Sequence, residues 1–307
     1  MDSICAWTHG LQVFERGWLS SNNILLRDEV STVLIDSGYV SHAPQTLALV
    51  QQALGSRPLD LLLNTHLHSD HCGGNRILQD AYPSLATRIP PGMASEVADW
   101  DEDHLTYKST GQNCPRFGFD GLIEPGSEMT LAGQIWEVHA APGHDPHSVI
   151  LYQPLDRILI SADALWEHGF GIVFPELEGV SAFQEVAATL DVIESLNPLL
   201  VIPGHGRPFN DVSTALAFSR RKLNGFIEKP EKHALYGAKV LIKFKLLELH
   251  SISKAQFKIW TELNGYLHAL HQLQQSNQPF PDWVDMVLTD LVKSKALQIQ
   301  GETLCNI

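Results

Sequence analysis

No uninterrupted apolar run approaches the roughly 18 residues that a membrane-spanning helix needs, so the 307-residue chain is expected to have no membrane partner. Cysteine is scarce as well. The 4 present, Cys5, Cys72, Cys114 and Cys305, lie far apart with no C-x-x-C pair, which speaks for reduced thiols in a cytoplasmic setting rather than a disulfide scaffold. The opening Met1-Asp2-Ser3-Ile4-Cys5-Ala6-Trp7 lacks the basic start and apolar stretch of a secretory signal. Neither low-complexity segments nor repeats at solenoid periods occur. Positive charge is the remaining shortage. Lys and Arg number 21 against 35 Asp and Glu, a formal net charge of −14 that repels nucleic acid unless a local basic surface compensates.

What is present is ample core material, with 44% apolar and 18% charged residues. Acid and base are unevenly spread: residues 1–205 hold 8 basic against 26 acidic side chains, residues 206–307 hold 13 against 9. The shift places a first unit at 1–215 and a second at 216–307. Short β-rich runs at 11–14, 23–26, 32–35 and 59–63 surround one helical stretch from Ala43 to Leu54. A second series of strands follows at 129–131, 135–138, 148–152 and 157–160. Phe183, Val186, Leu190 and Ile193 recur at helical spacing, with Ser181 as the expected N-cap, and Leu199–Ile202 reads as a buried strand. The pattern is α/β or α+β. Past Asp211 the texture turns helical, with helices at 233–249, 254–263 (capped by Ser253) and 281–297. A hairpin turning at Gly301-Glu302 then completes the order of a winged helix.

Chemistry concentrates in Asn64-Thr65-His66-Leu67-His68-Ser69-Asp70-His71-Cys72-Gly73-Gly74, three imidazoles and a carboxylate within six residues after a strand. In extended backbone His66 and His68 point to one side, while a turn delivers Asp70 and His71 to a neighbouring position. Three further loops follow strands and offer His144, Asp163 and His205. Seven candidate ligands result. Cys72 reads as a small buried thiol, and His147 and His168 as loop histidines.

In His66, His68, Asp70 and His71 the chain resembles the H-x-H-x-D-H motif of the metallo-β-lactamase superfamily, with His144, Asp163 and His205 matching the later positions in order. The resemblance implies a four-layer αββα sandwich, one metal held by His66, His68 and His144, another by Asp70, His71 and His205, and Asp163 between them. Two Zn2+ ions are the expected cofactors, with iron or manganese open to the same donors. Asp163 stands where β-lactamases of this fold typically carry cysteine or serine, which argues against antibiotic hydrolysis. The Pro142–Ser148 and Ser161–Asp163 segments and the winged-helix-like tail are similar to the β-lactamase-like endoribonucleases and their bacterial relatives.

Such a centre implies a binuclear zinc hydrolase that uses a metal-bridging hydroxide, with Asp70 as the catalytic carboxylate that orients it or passes its proton on. The expected substrate is a small ester, thioester or lactone. A zinc endoribonuclease and a non-catalytic metal- or ligand-binding regulator are the alternatives, and the acidic first unit disfavours nucleic acid. Substrate choice is assigned to the Trp166–Phe174 loop, the Asp99–Phe119 segment and the tail. Asp36-Ser37-Gly38 reads either as support for the ligands or as a strand-ending turn. Trp166, Phe170 and Phe174 read as packing or pocket wall. Lys239, Lys243, Lys245, Lys254 and Lys258 form either a phosphate-tracking stripe or a solvated face. The tail is expected to make a homodimer or to cover the substrate.

Overall fold

The computed structural model describes residues 10–274 and 277–307; Cys5 and the stretch read against a secretory signal lie outside them. Strands β1 (Leu11–Phe14), β2 (Asn23–Arg27), β3 (Thr32–Ile35), β4 (Leu61–Leu63), β5 (Ala86–Ile89) and β6 (Gly121–Leu122) form one sheet in sequential order. β1 to β3 pair antiparallel, and β3 to β6 parallel. Parallel pairing needs crossovers, supplied by the helices Ala43–Leu54 and Asn75–Ala81 and, between β5 and β6, by the segment carrying the short helices Ala94–Asp99 and Tyr107–Thr110. A second sheet, in the order β11, β10, β9, β8, β7, is built from β7 (Glu128–Leu131), β8 (Gln134–Ala140), β9 (Val149–Gln153), β10 (Ile158–Ala162) and β11 (Leu200–Pro203). Here the Phe183–Leu196 helix makes the crossover to the parallel strand β11.

Side-chain alternation explains the layers. On β2, Ile24 and Leu26 face the second sheet, where they join Val138, Leu151, Ile160 and Ile202, whereas Leu25 turns outward to Val50 and Leu78 of the covering helices. On the other side Ile150, Leu159 and Val201 meet Val186, Leu190 and Ile193. Helix, sheet, sheet and helix are therefore stacked as a four-layer αββα sandwich. The Ala43–Leu54 helix has the bounds read from sequence. Ser181 is not the cap of the Phe183–Leu196 helix: the Glu176 carboxylate, arriving from the preceding turn, accepts from the backbone N–H groups of Ala182 and Phe183 at 2.6 and 2.9 Å.

The Val212–Glu228 helix starts where Asp211 accepts from Thr214 N. It runs unbroken through positions 215 and 216, and Leu216, Leu223 and Phe226 lie in the same core as the Phe183–Leu196 helix. Beyond it come the helices Pro230–Leu249, Lys254–Leu263, Gly265–Leu273 and Phe280–Lys293, around a core centred on fully buried Trp283. Ser253 caps the second of these, accepting from Gln256 N. Strands β12 (Ser251–Ser253), β13 (Leu297–Gln300) and β14 (Thr303–Asn306) form a small antiparallel sheet in the order β12, β14, β13, with the hairpin turning at Gly301-Glu302. The last helix stops at Lys293 rather than at Leu297, whose alternating neighbours belong to β13.

Candidate metal centre

All four loops end at one place because both sheets present their strand ends to the same edge of the sandwich. The chain leaves β4 at Leu63, bends at Thr65-His66 and reaches His68, the N-cap of the one-turn Ser69–Cys72 helix that carries Asp70 and His71. Gly74 lets this turn press on the preceding loop, since a Cβ there would stand 2.4 Å from Ser37 O. His144 comes from the loop between β8 and β9, Asp163 follows β10, and His205 follows β11.

Donor atoms of His66, His68 and His144 lie within 4.8 Å of one another, as do those of Asp70, His71 and His205. Asp163 faces both trios, with Oδ1 3.5 Å from His71 Nε2 and Oδ2 3.4 Å from His144 Nε2. All seven residues singled out in the sequence are therefore brought together. His147 lies apart against Gly92. Cys72 is fully buried, its thiol directed to Leu67 O.

Hydrogen bonds fix which ring nitrogens face inward. Ile172 O can only accept, so His144 donates through Nδ1 and its Nε2 is bare. His71 Nδ1 donates to Asp36 Oδ2 at 2.7 Å. Thr65 gives its hydroxyl proton to the same oxygen at 2.8 Å and so accepts from His66 Nδ1 at 3.1 Å. Asp36-Ser37-Gly38 thus supports the donors as well as ending β3.

Ring nitrogens now converge. His68 Nδ1 is 3.1 Å from His66 Nε2 and 2.9 Å from His144 Nε2, so three imidazoles aim at one point. His71 Nε2 is buried with no hydrogen-bond partner. Burial and neighbouring imidazoles push His66 well below the ordinary histidine range, and burial brings His68 and His144 to about 4, so these rings are neutral donors at neutral pH. Burial also disfavours charge on His71, but Asp36 and Asp163 outweigh it and hold its pKa well up. The residues present fit metal ions: neutral imidazoles, ionised carboxylates and an orphaned inward nitrogen.

A family model described as the metallo-beta-lactamase superfamily matches residues 16–205. The chain belongs to that superfamily. Like other members, it is a metal-dependent hydrolase with His and Asp metal-site residues. Among relatives of the superfamily, the probable metallo-hydrolase YqgX of Bacillus subtilis is 28% identical over 64% of this chain and 90% of its own length. A hydroxyacylglutathione hydrolase of Synechococcus is 31% identical over 151 residues, and the match spans about half of each protein, 47%. Among solved structures, the family protein TTHA1429 from Thermus thermophilus covers 97% of this chain and 99% of its own at 17% identity and a TM-score of 0.57. TTHA1623, solved in a di-iron-bound form, covers 68% of this chain and 98% of its own at 27% identity and a TM-score of 0.54.

Within the superfamily scaffold, a cavity of about 530 Å³ opens on the metal-site residues His68, Asp70, His144, Asp163 and His205. Trp166, His168 and Phe174 line it, whereas Phe170 is buried in the core. Sequence reading missed Trp18, whose exposed ring stacks on His205 with centroids 5.6 Å apart. The Pro230–Leu249 helix, in the tail to which substrate covering was assigned, forms a further wall of the cavity, whereas nothing local in the sequence marks Trp18. A larger groove, about 1170 Å³, lies between residues 103–111 and the C-terminal helices and contains none of the metal-site residues.

Proposed function

We propose that the protein hydrolyses a small ester, thioester or lactone with two zinc ions held by His66, His68 and His144 on one side and by Asp70, His71 and His205 on the other. Asp163 lies between the two sets. The observation that carries this reading is the Asp163 carboxylate, with one oxygen 3.5 Å from His71 Nε2 and the other 3.4 Å from His144 Nε2. Divalent cations at such donors supply a Lewis acid for a carbonyl oxygen and bring the pKa of water toward about 7. Zinc suits a set of imidazoles and carboxylates without thiolate. The di-iron form of TTHA1623 makes metal analysis part of the test.

The chain's own residues orient and exclude. Burial opposes charge on Asp70, but the hydrogen bond from His205 and the nearby His71 outweigh it and keep the carboxylate ionised. An ionised Asp70 can therefore accept a hydrogen bond from water or hydroxide at the centre and orient it toward the carbonyl carbon. Trp18 and Trp166, edge to face with centroids 5.3 Å apart, shield the His205 side from water.

The endoribonuclease alternative loses support in the tail. Lys239 pairs with Asp290, Lys245 with Glu248, Lys254 with Glu302 and Lys258 with Glu262, while Lys243 donates to Asn306 and to backbone carbonyls. Carboxylate partners beside four of these five disfavour a phosphate-tracking stripe. We propose that the tail is a winged-helix-like unit that serves as a pocket wall; its order of helix, strand, helices and hairpin, with sheet order β12, β14, β13, supports that reading. Exposed Ile259 and Leu263 support a homodimer through this unit, to be read by sedimentation. Sparse cysteines without a C-x-x-C pair support a cytoplasmic setting.

The deciding experiment assays metal-loaded protein on a panel of esters and thioesters and on single-stranded RNA, each with and without chelator and beside Asp70→Ala. Chelator-sensitive acyl hydrolysis that Asp70→Ala abolishes is the expected result. RNA cleavage without ester turnover would replace the proposal by the nuclease. Stoichiometric metal with no turnover of any kind would replace it by the regulatory binding protein.

A further inference from the structure

The Pro230–Leu249 helix is apolar on two faces. Ala238, Leu241, Ile242 and Leu246 are buried in the C-terminal core. A second row, Tyr236, Val240, Phe244 and Leu247, is half-buried and lines the cavity that opens on Asp70, Asp163 and His205. One apolar face is enough to dock a surface helix; a second, turned toward a metal centre, has apolar surface to offer a ligand. Ile172, Phe174 and Leu291 continue the same lining.

The two cations on this wall do not present charge to it. Lys239 sends its ammonium to Asp290 at 2.9 Å, and Lys243 sends its own to Asn306 Oδ1 and the carbonyls of Ala296 and Ile307. Their aliphatic stems are left to face the cavity. Among the described residues that line it, no other Lys or Arg occurs. An anionic arm, such as a nucleotide or a peptide carboxylate, finds no free cation there, whereas a hydrocarbon arm finds side chains of its own kind. A volume of about 530 Å³ is in the range that encloses a whole small ligand.

We infer that the substrate carries a medium-length hydrocarbon acyl chain, laid along Val240, Phe244 and Leu247 with its carbonyl at the metal-site residues. This rests on the hydrolase reading: water adds across the acyl C–O or C–S bond and leaves a fatty carboxylic acid and an alcohol or thiol. Each methylene buried along the wall contributes about fourfold to kcat/KM, so selectivity for chain length is the signature.

The test uses the zinc-loaded full chain and p-nitrophenyl esters from acetyl to dodecanoyl, with calorimetric titration of sodium octanoate and sodium acetate beside them. The expected result is a kcat/KM that climbs about 15-fold per added pair of methylenes up to about octanoyl. Octanoate should bind at least tenfold more tightly than acetate and with a negative heat-capacity change. Val240→Trp, which fills the wall, should lower the octanoyl-to-acetyl rate ratio at least tenfold. Chelator-sensitive turnover that is flat or falls with chain length, or octanoate binding no tighter than acetate, overturns the inference and leaves the hydrolase reading standing. Tight octanoate binding with no turnover of any ester upholds the apolar site and removes the hydrolase reading. Should Val240→Trp fail to fold, the wild-type chain-length series and the two titrations decide alone.

Discussion

Asp36 holds the centre together from outside it. Its carboxylate accepts from Thr65 N, Thr65 Oγ1 and His71 Nδ1 at 2.9, 2.8 and 2.7 Å, from a backbone position at φ +57° that Asn also tolerates. Asp36→Asn therefore keeps the backbone and one or two hydrogen bonds but removes the acceptor that fixes the His71 ring. Metal affinity should fall about 10- to 100-fold, read by competition with a chromogenic chelator; unchanged affinity would mean that the ring is held by packing alone. Gly204 works by size. A Cβ there would stand 2.2 Å from Asp163 Oδ1 and 2.9 Å from His71 Cε1, so Gly204→Ala should weaken metal binding at least tenfold and cost about 1–3 kcal/mol of stability by overpacking. The seven metal-site residues were legible in the sequence because the motif spacing and the strand-end loops expose them. Asp36 was legible only as one of two readings, since its partner His71 lies 35 positions away. Trp18 was not legible at all, because its stacking on His205 is created by the meeting of two sheets.

Elements were readable wherever burial on one face sets a period. β1, β3 and the Ala43–Leu54 helix have their expected bounds, and the Gly301-Glu302 hairpin turns where composition put it. β5 escaped because exposed Arg88 breaks the apolar run, and β6 and β12 because two or three residues carry no period. Caps were readable only when local. Ser253 caps its helix as expected, but the cap at Ala182 is taken by Glu176, which no rule of adjacent positions finds. Ser253→Ala should cost about 1 kcal/mol and Glu176→Ala about 1.5–3 kcal/mol, as expected for two N–H groups that lose a charged acceptor. Ser181→Ala should stay within about 0.5 kcal/mol. Urea midpoints of the three variants check this, and a Ser181 effect as large as that of Glu176 would return the cap to the serine. The segment around Ile172 depends on two helices in a similar way: Lys222 donates to Phe170 O at 3.1 Å, and Val173 N donates to His233 Nε2 at 3.2 Å. Burial, with Lys222 adding to it, brings His233 to about 4. The unfolded chain takes up this proton near pH 6.5 and the folded chain only near 4, so stability from His233 is lost as pH falls through that window. His233→Gln should flatten the decline of the urea midpoint between those limits, and an unchanged slope would assign the decline to other histidines.

At the scale of the molecule the metal-site residues join the two sheets. His66 to His71 belong to the first, while His144, Asp163 and His205 belong to the second, so ions held between them cross-link the sandwich. The layer order was legible from alternating strands, and the tail was read as covering the substrate or making a dimer, but which of its helices lies over the centre depends on long-range pairs such as Tyr39 with Glu248. Cross-linking by ions predicts a stability that depends on metal and on pH together. In the metal-free protein Asp36 and Asp163, outweighing burial, keep a proton on His71 above the ordinary imidazole range. That stabilisation is complete below about pH 6.5 and fades as pH rises through the raised value. A metal ion at His71 Nε2 must displace this proton, so its affinity instead rises with pH, by about tenfold per unit for one proton. The two dependences run in opposite directions. The difference in melting temperature between zinc-loaded and chelator-stripped protein should therefore widen from about pH 6 to about pH 8. Calorimetry in two buffers of different ionisation enthalpy should find about one proton released by this site at neutral pH. A difference that does not change with pH, together with no proton release, would show that His71 Nε2 already stands unprotonated in the stripped protein and that the Asp36 and Asp163 charges are spent elsewhere.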